Sequence, residues 1–191
     1  MGKLSTIEKI LVSIIAVLVV VILVRRIGGT PRNDAIQNTQ PKAVDLGITY
    51  RGFINRYNAL IQWYGLSKIA LTEPLHWKEK GGVETFFYDL GDTVVLFGDR
   101  DKATGMLTSV TVGCDPDKSS SKRNIVSRAD IVYIFVIRVL STELTETESR
   151  AVLSQLSLNL KSSSLLKGNI RYWSRVYNGL LLLSAEGKDF K

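Results

Sequence analysis

Few residues in this chain could do chemistry. There is one histidine, His76, standing beside Trp77, and one cysteine, Cys114. A histidine can act as a general base or a metal ligand, but no second His or Cys stands at ligand spacing from it. Without a constellation around it, His76 reads as a structural or solvent-exposed side chain. Cys114 would need an adjacent base to become a nucleophile, and no local motif supplies one, so it reads as a strand-end thiol. A lone cysteine also cannot close an internal disulfide, which leaves oxidising and reducing compartments both open.

The carboxylates give no stronger signal. Asp99-x-Asp101-x-x-x-Gly105 has the outline of a calcium loop, but Ala103 stands where a third oxygen ligand belongs and Thr104 where the glycine belongs. A hairpin turn is the simpler reading. Asp115 and Asp117 flank Pro116 and suit a turn, while Glu143, Glu146 and Glu148 gather where a helix dipole favours acids. The chain has neither a phosphate-cradling glycine loop nor a Gly-x-Ser-x-Gly elbow. No catalytic residue, metal ligand or cofactor site is therefore predicted.

One pattern does suggest binding. Near the C-terminus, strand alternation puts Ile170, Tyr172, Ser174 and Val176 on one face and Arg171, Trp173, Arg175 and Tyr177 on the other. Interleaved arginines and aromatics can hold acidic partners or anionic headgroups through bidentate and cation–π contacts. The competing reading is a solvated face whose long side chains stack across strands.

These residues are positioned by a chain that opens on a lipid tether. Residues 10–24 carry no charge, and only Ser13 interrupts the apolar run. That core is short for the roughly 30 Å hydrocarbon layer, but residues 7–27 suffice if Lys9, Arg25 and Arg26 snorkel to the headgroups. A cleaved signal peptide fits less well, because two arginines follow the apolar stretch and Ile27-Gly28-Gly29 is a poor cleavage site. The Met-Gly-x-x-x-Thr start matches a myristoylation pattern that a chain with its own span hardly needs. The span lacks small-xxx-small spacing, so nothing marks it as an assembly helix. The division predicted is a tail over residues 1–9, a transmembrane anchor over 10–27, a flexible polar linker over 28–47 and one globular domain over 48–191.

Charge bounds the partners. The net charge is +7, but the first 42 residues hold six of the 25 basic and two of the 18 acidic side chains, leaving +3 for the rest. Basic charge concentrated beside the membrane argues against a nucleic-acid module. Counting Arg25, Arg26, Arg32 and Lys42 against Lys3, Lys9 and the α-amino group, the positive-inside rule favours a cytoplasmic domain. N-terminal anchors followed by one globular domain commonly export it, however, and an exported, periplasmic or extracytoplasmic domain is the expectation we carry forward.

Within the domain, Tyr50, Phe53, Ile54, Tyr57, Leu60, Ile61 and Tyr64 form one face of a helix with Thr49 as N-cap and Gly65 as C′ residue. Four strand-like runs follow, residues 75–79, 83–89, 93–97 and 106–112, separated by short turns and hence antiparallel. Residues 114–123 read as a polar loop. Residues 129–140, apolar on nearly every side with Ser127 as a possible cap, read as a buried helix, and Thr145-x-x-Glu148 is a capping box for another. Asn178-Gly179 then joins two strand-like runs, 169–177 and 180–184, into a hairpin. Helix, four-strand meander, two helices and C-terminal hairpin predict an α+β fold: an antiparallel sheet of about six strands with helices on one face, behind a single N-terminal transmembrane helix.

The function this architecture favours is a single-span membrane protein displaying a small non-catalytic binding or interaction domain. An envelope accessory, inhibitor or immunity-type factor would look so. Its partners would be the bilayer, through the N-terminal helix, and a protein; nucleic acid is not expected. The alternative is a membrane-anchored hydrolase working through scattered carboxylates. A paired-carboxylate cleft would favour the hydrolase, and a shallow surface with exposed aromatics the binder.

Overall fold

The computed structural model describes residues 44–74, 76–115, 122–157 and 163–188. The anchor expected over 10–27 and its flanking Lys9, Arg25 and Arg26 lie outside the described residues, as does most of the linker. Among the described residues no helix is long and apolar enough to cross a membrane.

Three helices and seven strands make a mixed α+β fold. They are α1 (Tyr50–Trp63), β1 (His76–Lys80), β2 (Val83–Asp89), β3 (Val94–Asp101), β4 (Leu107–Cys114), α2 (Lys122–Leu140), α3 (Glu146–Ser157), β5 (Ser163–Lys167), β6 (Ile170–Tyr177) and β7 (Leu180–Gly187). The strands form one sheet in the order β1-β2-β3-β4-β7-β6-β5, with every neighbouring pair antiparallel. Two meanders thus meet at β4 and β7, and the two chain-terminal halves of the sheet share one core.

The local signals explain most of these elements. Thr49 Oγ1 accepts from the amide of Gly52 at 3.1 Å, capping α1. At the other end Gly65 takes φ +67°, and the amides of Gly65 and Leu66 reach back to the carbonyls of Gln62 and Ile61, closing the helix in a Schellman-type turn. The capping box of α3 is formed: the Glu148 amide donates to Thr145 Oγ1 at 3.3 Å, and the Thr145 amide to Glu148 Oε2 at 2.8 Å. Asn178 and Gly179 both adopt positive φ, +48° and +81°, as a tight hairpin between β6 and β7 requires.

Three expectations need correcting. The sheet has seven strands rather than about six, because Ser163–Lys167 pairs antiparallel with β6 through a tight Gly168-Asn169 turn. Helix α2 begins at Lys122, not at residue 129, so Ser127 lies inside it and does not cap it. Once the buried turns have nucleated, each added residue gains one backbone bond, and the helix extends back through residues 122–128. Finally, the residues read as a loop over 114–123 include the last of β4 and the start of α2, while 116–121 lie outside the described residues.

Every described helix packs on the same face of the sheet. From α1, Phe53, Tyr57 and Ile61 are fully buried, and the Tyr50 ring lies 5.0 Å from that of Phe86 on β2. Helix α2 is central: Tyr133 meets Tyr172 of β6 edge-on at 6.5 Å, and its other faces meet α1 and α3. That position explains why α2 is apolar on nearly every side over residues 129–140. Helix α3 is tied down at its end, where the Leu156 carbonyl accepts from Ser163 Oγ and Ser174 Oγ at 2.9 and 2.8 Å. Gly98 on β3 faces Phe86 so closely that a Cβ there would lie 2.3 Å from the Ser109 carbonyl and 2.7 Å from the Phe86 ring.

Candidate interaction surface

The opposite face of the sheet carries no described helix. Register fixes what it presents. Across β2, β3, β4, β7 and β6 one row reads Phe87, Phe97, Thr111, Ser184 and Trp173, and the next reads Asp89, Val95, Gly113, Leu182 and Arg175. The middle strands thus carry Thr111, Gly113 and Ser184, with Leu182 as their one large side chain, between bulkier flanks. Thr111, Leu182 and Ser184 are nevertheless buried. The two hydroxyls satisfy each other at 2.7 Å, and Val95, Leu182 and Phe97 close over Gly113 at 3.1 to 3.7 Å from where a Cβ would stand.

The strip Arg171, Trp173, Arg175 and Tyr177 lies on this helix-free face, while Ile170, Tyr172 and Ser174 are buried on the other. The two arginines are not equivalent. Arg171 pairs with Glu186, directly opposite on β7. Arg175 sits opposite Leu182, its guanidinium 5.6 Å from the Tyr177 ring, with no carboxylate partner among the described residues. Trp173 is half-buried, and its indole Nε1 finds no acceptor among the described residues. The arrangement offers one cation backed by two aromatics at the rim of a self-satisfied face, which can hold an anion or an acidic side chain.

The other candidates resolve separately. His76 opens β1, opposite Phe87; its side chain lies outside the described residues. Cys114 is buried, and burial, reinforced by the Asp130 and Asp115 carboxylates, pushes its thiol up to about 11. It is a poor nucleophile at neutral pH. Asp99 accepts from Thr85 Oγ1 at 2.6 Å and from Ser109 Oγ at 3.3 Å, and Asp101 accepts from the Thr104 amide at 2.8 Å to shape the turn before β4. Glu146 binds the Tyr64 hydroxyl and the Arg150 guanidinium, which hold its carboxyl below the usual carboxylate range. Glu148 is held low by the Thr145 amide and hydroxyl. Among the described residues no group of three or more His, Cys, Asp or Glu could hold a metal ion.

One polar cluster was not visible in the sequence. The Tyr50 and Tyr88 hydroxyls lie 2.5 Å apart, and Arg100 stands 5.0 Å over the Tyr50 ring while pairing with Glu84 at 2.6 Å. Burial and the Tyr50 hydroxyl raise Tyr88 well above an ordinary phenol. Its members come from α1, β2 and β3, so no local motif could reveal it. Neutral phenols clamped to each other brace the start of α1 rather than attack a substrate.

No family model, curated protein or solved structure matches this chain.

Proposed function

We propose that this chain is a single-span, membrane-anchored binding module that displays its α+β domain outside the cytoplasm and recognises an acidic partner on the helix-free sheet face. The observation that carries the reading is Arg175: a cation without a carboxylate partner among the described residues, set beside Trp173 and Tyr177. The apolar, uncharged run over residues 10–24 supports the anchor. Envelope accessory, inhibitor and immunity-type roles all suit this arrangement.

The test uses the full chain in nanodiscs of zwitterionic lipid and a fluorescent acidic peptide as probe. Arg175→Ser should weaken capture of the peptide by roughly five-fold or more, the worth of one charge-assisted contact, while thermal stability stays unchanged. Arg171→Ser should weaken it too, because Glu186 is left unpaired on the same face. Equal capture by wild type and Arg175→Ser would remove the reading. Topology reporters fused after Asn38 and at Lys191 decide the compartment, and a cytoplasmic signal at Lys191 would overturn the exported assignment.

A further inference from the structure

On the side of the domain away from the sheet, α1 and the turn after it form a surface that the binding reading does not use. Trp63 is 85% exposed at the end of α1, the largest exposure among the large apolar side chains of the described residues, and Tyr64 beside it is also exposed. From Tyr50 to Thr72 the chain contains Arg51, Arg56 and Lys68 but no Asp or Glu. Elsewhere many described cations are paired: Arg100 with Glu84, Lys102 with Glu79, Arg128 with Asp92, Arg150 with Glu146 and Arg171 with Glu186. Arg51, Arg56 and Lys68 are exposed and have no such partner among the described residues. Arg56 and Trp63 stand about two turns apart on nearly the same line of α1. Immediately after Trp63, residues 65–69 with Arg128 and Ile131 line a shallow depression of about 390 Å³; of its two cations Arg128 is paired with Asp92, and Lys68 is not.

We propose that this surface docks the domain on anionic lipid headgroups, with Trp63 at the polar–apolar boundary and Arg56 and Lys68 against the phosphates. An amphipathic indole standing fully in water is costly in a way that the interfacial zone of a bilayer relieves. Cations without acids to neutralise them gain about five-fold in partitioning for each one that reaches an anionic surface. The proposal draws on the anchor, because a span ahead of α1 keeps this surface near lipid. Leu46 and Ile48 are already packed on the domain, but residues 28–43 alone are long enough to let α1 lie along the membrane, since an extended chain reaches about 3.3 Å per residue.

The experiment places an environment-sensitive NBD fluorophore at Ala59→Cys, an exposed position one turn before Trp63, in the full chain; buried Cys114 should label far more slowly. The chain is reconstituted in nanodiscs of phosphatidylcholine alone or with a third phosphatidylglycerol. Docking predicts a blue-shifted, brighter emission in the anionic discs only. Trp63→Ala should abolish the change, and Arg56→Ser with Lys68→Ser should lower the docked-to-free ratio about 25-fold. Resistance to an alkaline wash reads the anchor separately. Emission that is identical in both lipids overturns the docking whether or not the chain is retained, and so does a shift that survives loss of Trp63 and both cations.

Discussion

Three buried tyrosines should respond to loss of their hydroxyl with different signs. Tyr57 is fully buried in α1, its ring 6.0 Å from Phe53 and 6.2 Å from Phe135, and its hydroxyl has no hydrogen-bond partner among the described residues. Tyr172 is as deeply buried, but its hydroxyl lies 2.7 Å from Ser141 Oγ, itself buried. Tyr133 donates to the Ser184 carbonyl at 2.8 Å. A buried, unpaired hydroxyl costs about 1–3 kcal/mol of lost hydration, whereas a made hydrogen bond returns about 1 kcal/mol net. Tyr57→Phe keeps the ring and removes only the penalty, so it should stabilise the domain by about 1 kcal/mol, or roughly 2–4 °C in Tm. Tyr172→Phe should destabilise by about 1–3 kcal/mol, because Ser141 is left unpaired, and Tyr133→Phe by about 1 kcal/mol. Denaturant unfolding of the full chain in detergent, followed by tryptophan fluorescence, measures all three. A destabilised Tyr57→Phe would refute the reasoning, since it would mean that the hydroxyl has a partner worth more than its burial costs.

Two further outcomes follow from close contacts and titration. Gly98→Ala should lower stability by about 2 kcal/mol or more, because the new methyl meets the Ser109 backbone, whereas Gly113→Ala meets only side-chain atoms at 3.1 Å and beyond and should cost much less; urea midpoints of the two variants compare them directly. Asp130, on α2, is raised by burial above the ordinary 3.8 of an aspartate. A raised folded value means that its contribution is present below the unfolded value and is lost as pH rises through the folded one. Asp130→Asn should therefore be more stable than wild type at pH 7 and converge with it in acid, and parallel curves across the acid range would exclude the effect.

The parts of the fold legible in the sequence are those whose causes are local. Thr49 and Gly65 bound α1, Thr145 and Glu148 start α3, and Asn178-Gly179 turns β6 into β7, each because the backbone geometry at that point demands that residue type. Strand β5 is hard to read because Ser163-Ser-Leu-Leu-Lys167 is short and polar at both ends; the signal that marks it is Gly168-Asn169, with Gly168 at φ +55°. The start of α2 is obscured because Lys122-Arg-Asn124 and Ser127-Arg128 extend the polar composition of the preceding loop, although Ile125 and Val126 continue at helical spacing the stripe of Ala129, Val132 and Tyr133. The alternation that sets Arg171, Trp173, Arg175 and Tyr177 on one face was readable, since strand period is intrinsic. That Arg171 is spent on Glu186 and Arg175 is not depends on which strand lies beside β6, and β7 arrives there only through the hairpin register.

The two sides of the sheet solve different problems. On the helix side, burial is achieved by large side chains from separate elements, and the polar atoms there are fixed by long-range bonds such as Tyr133 to Ser184. On the other side, Thr111 and Ser184 exclude water with no described helix above them, because they bond each other and larger neighbours lean over the small middle strands. A face that has already satisfied its central hydroxyls gives up little hydration when something is laid on it. On the proposed binding reading, selectivity there would come from the rim, where Arg175 and Tyr177 stand. The exposed stripe of α1 points away from the sheet, so a domain resting on lipid through Trp63 would turn this rim outward. Anchor contact and partner contact would then not compete for the same surface.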